Sequence, residues 1–218
     1  MSKVIAIVGM GPGIGMAVGK RFAREGFKVA QVARRAEALA GYEAELRKAG
    51  ADVRSYAADA GNVDSLKSAF SRIQSELGAP EVLVYNAAVL GQSKPSTLDP
   101  AKALQDFQVN VLGALVSAQQ VIPAMRAQKR GTLLFTGGGL ALNPYPDYAS
   151  LGIGKAGVRN LAHSLAGELE ADGVHAATVT VCGFVKPGTH FDPDKIAEEY
   201  WKLHLQAPGH FEKERVYR

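Results

Sequence analysis

The chain has 218 residues but only one cysteine, few aromatic side chains and no long apolar run. The single thiol, Cys182, excludes an internal disulfide, and in an apolar segment it is better explained by core packing than by nucleophilic chemistry. The first apolar stretch, VIAIVG, is too short to span a membrane, and the N-terminus lacks the features of a signal peptide. We therefore predict a cytoplasmic protein without a membrane partner.

The sequence also lacks a metal-ligand pattern and a nucleic-acid recognition module. Its formal net charge is +4, but basic and acidic residues alternate in stretches such as RRAEALAGYEAELRK, which is typical of a solvated helix face. A basic nucleotide pocket explains the small positive excess as well as a nucleic-acid surface does. We expect neither a metal ion nor a nucleic acid as partner. The histidines, which have no ligand spacing, are His163, His175, His190, His204 and His210.

What the chain does contain is a regular alternation of short strand-like runs and longer helical ones. The predicted strands are KVIAIVG, KVAQVA, DVRSYAA, EVLVYN, GTLLFTG, HAATVTVC and a terminal ERVY. Helical periodicity covers 13–26, 35–49, 62–77, 100–128, 148–171 and 193–206. This alternation predicts an α/β fold, a three-layer, doubly wound parallel sheet of the Rossmann type, in a single domain over 1–218.

Two long irregular segments interrupt this rhythm, GQSKPSTLDP and the stretch that follows Gly183. Ligands of open parallel sheets bind at the carboxyl ends of the strands, where such loops lie. We predict that 186–210 forms a substrate loop or lid, with DPDKIAEEYWKLH as an amphipathic helix over the pocket. The substrate is expected to be a small molecule, and an apolar one is compatible with this segment.

The first strand runs into the motif GMGPGIG, which opens a helix. Glycines let the backbone approach a phosphate, and a helix N-terminus offers free N–H groups and a positive dipole end. A turn that only packs is the alternative, but a strand before the motif and a helix after it favour dinucleotide binding. The residues predicted to bind the cofactor here are Gly9, Gly11, Gly13, Ile14 and Gly15.

The end of the second strand carries two arginines, Arg34 and Arg35, and no acid. An acidic residue at this place binds the ribose hydroxyls of NAD, whereas a 2′-phosphate calls for arginine. NADP is therefore predicted and NAD disfavoured; the alternative is that both arginines only face water. Asp59, after the third strand, is predicted to accept a hydrogen bond from the adenine amino group, unless it merely caps the following helix.

With these motifs, the chain resembles the short-chain dehydrogenase/reductase family over nearly its whole length. The glycine turn, ADA at 58–60, YNAA at 85–88 and Asn110 in FQVNVLGAL carry the resemblance. It implies an NAD(P)-dependent enzyme that moves hydride to or from a carbonyl, an alcohol or an activated double bond. It also implies that Asn86 and Ala87 lie near the cofactor and that Asn110 holds a water in a proton relay. A helix asparagine satisfied by a backbone carbonyl is the alternative for Asn110.

The sequence departs from the family's common pattern of serine, tyrosine and lysine. The position four residues before Lys155 is Leu151, and the usual serine position falls at about Gly138. Neither side chain can perform acid–base chemistry. In YASLGIGK, however, Tyr148 precedes Lys155 by nearly two helical turns, which predicts that both side chains serve one pocket.

A spacing of seven residues between tyrosine and lysine resembles the divergent branch of the family, the enoyl-acyl-carrier-protein reductases. Three interpretations stay open. Tyr148 is the acid of a reductase, with Lys155 on the ribose and an activated double bond as the most natural substrate. Alternatively, the chain is a catalytically inactive NADP-binding pseudoenzyme that acts as a sensor or assembly partner. In the third, the protein is a carbonyl reductase whose acid comes from elsewhere, such as Tyr145.

Two further expectations come from the resemblance. In VCGFVKPGTHFDP, Gly183 and Val185 match an element near the cofactor amide, with an ordinary strand-to-loop turn as the alternative. The helical stretches 100–128 and 148–171 carry small and apolar residues on more than one face. Because family members commonly pair these helices, we predict a homodimer or homotetramer.

Overall fold

The first strand, β1, consists of five apolar residues, Val4–Val8, and all five are buried, as in a strand covered on both faces. The computed structural model describes residues 3–218 and contains six further strands in the same sheet. They are β2 Lys28–Ala33, β3 Val53–Ala57, β4 Val82–Tyr85, β5 Gly131–Gly138, β6 Val174–Val181 and β7 Glu214–Tyr217. The order is β3-β2-β1-β4-β5-β6-β7 and every pairing is parallel, which confirms the predicted doubly wound sheet.

Helices cover both faces of this sheet and create two separate apolar cores. Their bounds are α1 Ile14–Ala23, α2 Ala36–Lys48, α3 Val63–Leu77, α4 Pro100–Phe107, α5 Gly113–Gln128, α6 Ala149–Leu169 and α7 Pro193–His204. One core lies between the sheet and α3, α5 and α6. The other lies between the sheet and α1, α2 and α7. Over residues 3–218, no helix is both long enough and apolar enough to span a membrane.

The stretch predicted as one helix over 100–128 is divided in the structure. A π-helical turn, Gln108–Leu112, separates α4 from α5. The hydroxyl of Tyr85 donates to the backbone carbonyl of Val109, and this competes with the regular helical hydrogen bond. The next residue is Gly113, and a Cβ there would lie 2.3 Å from both the carbonyl oxygen of Ala60 and the hydroxyl oxygen of Tyr85. Tertiary contacts therefore set the interruption, which sequence periodicity does not reveal.

The predicted helix near 193–206 exists as α7, and its apolar face is buried. Ile196, Tyr200 and Leu203 belong to the core shared with α1. The ring of Trp201 packs edge-on against Phe22 at 5.1 Å between centroids. The loop before α7 is mostly exposed. A lid function for 186–210 stays a prediction, and α7 itself is built into the fold.

Candidate nucleotide and active site

The turn after β1, residues 9–13, is called the phosphate turn after its predicted ligand, and at Gly9 it packs closely against neighbouring backbone. This residue has φ +89°, and a Cβ there would lie 2.3 Å from the backbone nitrogen of Ala87. Its N–H and that of Met10 both donate to the carbonyl of Val32, at 2.9 and 3.0 Å. Only glycine satisfies both the conformation and the close approach, so Gly9 anchors the turn between β2 and β4.

The next part of the turn is open to solvent. A Cβ on Gly11 would meet no heavy atom within 4 Å, and one on Gly13 would meet only Val185 Cγ1, at 4.0 Å. Gly13 is the N-cap of α1, which begins at Ile14 and has no side-chain cap on its first N–H groups. Open space in front of an uncapped helix N-terminus suits a pyrophosphate. The turn thus fits the predicted cofactor.

Beside the turn lies a cleft of about 750 Å³. Arg34 and Arg35 line it and are exposed, and neither forms an ion pair within the described part of the chain. Unpaired guanidinium groups at the end of β2 are available to a phosphate. Other predicted site residues on the cleft wall are Gly9, Asp59, Asn86 and Ala87.

Asp59 lies at the cleft and does not cap a helix. Its carboxylate accepts a hydrogen bond from the N–H of Gly61 at 2.9 Å. The N-cap of α3 is Asn62, whose side chain accepts from the N–H of Ser65. The alternative that Asp59 caps the following helix is therefore wrong, and its role toward adenine stays a prediction.

The side chain of Asn86 connects the phosphate turn with β5. Its Nδ2 donates to the carbonyl of Gly9 at 2.9 Å, and its Oδ1 accepts from the hydroxyl of Thr136 at 2.9 Å. Since the Thr136 hydroxyl uses its only hydrogen in the bond to Asn86, it accepts a hydrogen bond from the buried hydroxyl of Tyr200, at 2.7 Å. This chain of hydrogen bonds links the turn after β1 to β5 and α7. Sequence reasoning missed this role of Thr136 and Tyr200, because both lie in segments predicted only as a strand and a helix.

Lys155 lies at the carboxyl end of β5. Its Nζ donates to the backbone carbonyl of Thr136 at 2.7 Å. Its stem passes over Gly138, where a Cβ would come within 3.3 to 3.4 Å of Cγ, Cδ and Cε. Burial disfavours the charged form and lowers the pKa of Lys155 to about 8. The absence of a side chain at Gly138 therefore leaves room for the stem of Lys155.

Tyr148 is not on the helix itself, which corrects the prediction from helical spacing. It is the N-cap of α6, with φ −129° and ψ 40°, and its carbonyl accepts from the N–H of Gly152 at 2.8 Å. Its ring lies 6.1 Å from that of Tyr145, between centroids. Within residues 3–218 no hydrogen bond joins Tyr148 to Lys155. The two residues are brought to the same end of α6, while Leu151 between them is half-buried.

Asn110 lies in the π-helical turn and is buried. Its Oδ1 accepts a hydrogen bond from the backbone N–H of Val89 at 2.7 Å. Its Nδ2 has no partner in the described structure, and a Cβ on Gly154 would lie 2.6 Å from it. The side chain thus binds an N–H and not the backbone carbonyl of the alternative interpretation. A role in a proton relay stays a prediction.

The loop after β6 returns to the phosphate turn. Gly183 makes room for the ring of Phe191, which a Cβ would approach within 2.2 Å. Val185, two residues later, lies beside Gly13 and is exposed. Cys182 is half-buried, and its thiol is 3.7 Å from the carbonyl of Thr180. Across the described chain, no group of three or more His, Cys, Asp or Glu side chains is arranged to hold a metal ion.

Sequence reasoning also missed the contacts that fix the start of α6. Ser93, in the loop after β4, forms a short parallel bridge with Tyr148. Ser150 donates from its hydroxyl to the buried carboxylate of Asp106 at 2.6 Å. Lys102 on the cleft wall pairs with the same carboxylate. These residues are far apart in the sequence, so no local pattern signals them.

The strand order changes direction between β1 and β4. The glycine turn and the cleft lie at the carboxyl ends of these strands. Fold and site together define a nucleotide-binding domain of the Rossmann class. Residues 3–197 match the short chain dehydrogenase family, and the chain belongs to it. Membership assigns the chain to the NAD(P)-dependent oxidoreductases of the short-chain type.

Known relatives agree with this assignment. A short chain dehydrogenase of Pseudocercospora fijiensis is 31% identical over 175 residues, which are 79% of this chain and 56% of the relative. An oxidoreductase of Sarocladium schorii is 27% identical over 205 residues, 94% of this chain and 80% of the relative. The crystal structure of a metagenomic short-chain oxidoreductase in complex with NADP is similar, with a TM-score of 0.89 and 29% identity, and covers 99% of this chain and 97% of that one.

Proposed function

We propose that the protein is an NADP-dependent reductase that transfers hydride to an activated double bond or a carbonyl of a small molecule. The observation that carries the proposal is the cleft between the phosphate turn and the two unpaired arginines, Arg34 and Arg35. A 2′-phosphate at these guanidinium groups would form charge-assisted hydrogen bonds that NAD cannot form. The NADP complex of the similar metagenomic oxidoreductase supports this choice of cofactor.

When bound, NADPH supplies the hydride. We assign the proton to the hydroxyl of Tyr148, which would donate it to the oxygen or enolate on which negative charge develops. Lys155 would hold the nicotinamide ribose with the N–H groups that Thr136 does not use, and its positive charge would favour the phenolate of Tyr148. Asn110 would hold a water that returns the proton to this pair. Gly183 and Val185 would border the nicotinamide amide.

The test combines calorimetry with turnover. NADP(H) is expected to bind, and NADPH is expected to be oxidised with at least one substrate in a panel of enoyl thioesters, aldehydes and ketones. Oxidation with an enoyl thioester alone would identify the activated double bond as the substrate class. Failure of NADP(H) to bind would contradict the proposal as a whole.

The pseudoenzyme is a second candidate, because Leu151 and Gly138 lack the groups that the common branch of the family uses. In this case the protein binds NADP and acts as a sensor or assembly partner. It predicts NADP binding in calorimetry together with no hydride transfer on the whole panel. The same experiment therefore separates the two candidates.

We also propose that the chain forms a homodimer or homotetramer through α4, α5 and α6. Leu104, Leu112 and Ile153 on and between these helices are exposed, and Ile153 is 55% accessible. Burying such side chains against a second copy would remove apolar area from water. Light scattering at micromolar concentration should give a multiple of the 23.0 kDa chain mass. A mass of one chain would contradict this proposal.

A further inference from the structure

The N-cap of α6 is unusual because it is a tyrosine. An N-cap is normally Ser, Thr, Asp or Asn, whose side-chain oxygen accepts from the first free N–H groups of the helix. Tyr148 makes no such hydrogen bond with its side chain. The first N–H groups of α6 must therefore find acceptors elsewhere.

Ser93 supplies these acceptors from outside the helix. Its backbone carbonyl accepts from the N–H of Ala149 at 3.0 Å, and its hydroxyl oxygen accepts from the N–H of Ser150 at 3.0 Å. Its own N–H donates to the carbonyl of Asp147 at 2.8 Å. Ser93 thus binds the residue on either side of Tyr148, which fixes the peptide planes that aim the phenol ring.

A second contact, from α4, holds the same turn. The hydroxyl of Ser150 donates to Oδ2 of Asp106 on α4, at 2.6 Å, while Lys102 donates to Oδ1. Burial opposes the charged form of Asp106, but the hydrogen bonds from Lys102 and Ser150 outweigh it and lower the pKa of the carboxyl. The carboxylate is buried, and both of its oxygens accept hydrogen bonds.

We propose that Ser93, Ser150 and Asp106 are positioning residues that hold Tyr148 in place for proton donation; this inference deepens the proposed function and depends on it. With Leu151 four residues before Lys155, the helix carries no tyrosine at the position that the common branch uses. A tyrosine outside the first turn serves the same pocket only if its backbone is fixed by other parts of the chain. The two serines and the aspartate provide that fixation, since they tie Tyr148 to the loop after β4 and to α4.

The test compares Ser150→Ala with Ser117→Ala. Ser117 is a matched control because it is also buried on a helix, and its hydroxyl donates to a backbone carbonyl, that of Gly113, at 2.7 Å. We expect Ser150→Ala to lower kcat by about 10-fold, since a small misplacement of a catalytic group is costly. NADP affinity should change no more than in Ser117→Ala, while Tm should fall further, because Oδ2 of the buried Asp106 loses its donor.

Each variant is also made in the Tyr148→Phe background. If Ser150 acts through Tyr148, its loss should cost nothing further there, which a merely structural role would not produce. As a conservative rescue, Asp106→Asn should retain turnover better than Asp106→Ala, because the amide oxygen still accepts from Ser150.

The failures are distinguishable. If Tyr148→Phe loses turnover but Ser150→Ala matches Ser117→Ala, the inference is wrong and the proposed function stands. An equal cost of Ser150→Ala in both backgrounds also overturns the inference, since Ser150 then acts without Tyr148. If Tyr148→Phe retains full turnover, the proposed acid is wrong, and the task assigned to the three residues is wrong with it.

Discussion

The two sides of the candidate site are built in different ways. On the side formed by β1, β2 and β4, backbone geometry makes the site. Gly9 has positive φ, and a Cβ there would lie 2.3 Å from the backbone nitrogen of Ala87. The helix α1 begins without a side-chain cap on its first N–H groups. On the side formed by β5 and α6, the proposed chemistry depends on individual side chains. There, Gly138 lies under the stem of Lys155, and Tyr148 precedes the first turn of α6 as its N-cap.

The difference teaches that a site made from backbone is visible in a glycine pattern, whereas a site made from side chains depends on what holds each one. The phosphate turn follows directly from GMGPGIG. The position of Tyr148 depends on its contact with Ser93, which lies 55 residues earlier in the sequence. Substitutions on both sides of the site separate a contribution to turnover, expected from the β5–α6 side, from a contribution to cofactor binding.

The largest effect is expected for Tyr148→Phe. Loss of a positioned acid should lower turnover by about 10²-fold or more, while NADP affinity stays within a few-fold. Steady-state kinetics and calorimetry on the same preparation measure both quantities. The control is Tyr145→Phe, because the two rings are neighbours. If only the control loses activity, Tyr145 is the acid and Tyr148 is a helix start.

On the cofactor side, Arg34→Asp should reverse the preference between NADP and NAD. We expect the unmodified protein to bind NADP at least ~10-fold tighter, since each lost charge-assisted contact costs about 1.5 to 3 kcal/mol. Calorimetry with both dinucleotides measures the ratio. Arg24→Asp, the same charge change at an exposed residue after α1, is the control. Equal affinities in the unmodified protein would show that the arginines do not read the phosphate.

A third prediction concerns the pH dependence of stability. The pKa of Lys155 is about 8 in the folded protein, below its ordinary value of 10.5, so the unfolded chain binds more protons between these pH values. Stability should therefore rise with pH across this window. The contribution is at most about 2 kcal/mol after discounting for partial solvent contact.

Lys155→Met removes this titration, and urea unfolding from pH 7 to 10.5 measures the difference. The variant should gain stability relative to the unmodified protein at pH 7, and this relative gain should shrink as the pH rises. Parallel stability curves for the two proteins would mean that Lys155 is solvated and charged in the folded state.

The smallest effect is expected for Ser93→Ala. This change removes the hydroxyl that caps α6 but keeps both backbone hydrogen bonds, so it should cost about 1 kcal/mol of unfolding free energy. Ser75→Ala serves as the control, because Ser75 is exposed and its hydroxyl donates to the backbone carbonyl of Arg72 within α3. If both variants have the same Tm, the capping interaction has no energetic weight.

Much of the fold is readable in advance because its signals are local and repeated. The alternating runs predicted all seven strands, including the short Glu214–Tyr217, to within one or two residues. The π-helical turn around Asn110 was not predictable, since it depends on the hydroxyl of Tyr85 and on the tight packing of Gly113. Both contacts come from tertiary packing that periodicity does not describe.

By itself the sequence determined the class of fold, and it placed the glycine turn after β1 and two arginines after β2, because each depends on the local chain or on strand order. Tertiary structure alone decided where Tyr148 lies, what its neighbours are and how Lys155 is desolvated. Lys155 reaches the carbonyl of Thr136 only over Gly138, and Tyr148 is held by Ser93 from a distant loop. A proton donor acts only within hydrogen-bonding reach, and such distances arise when separate segments pack together.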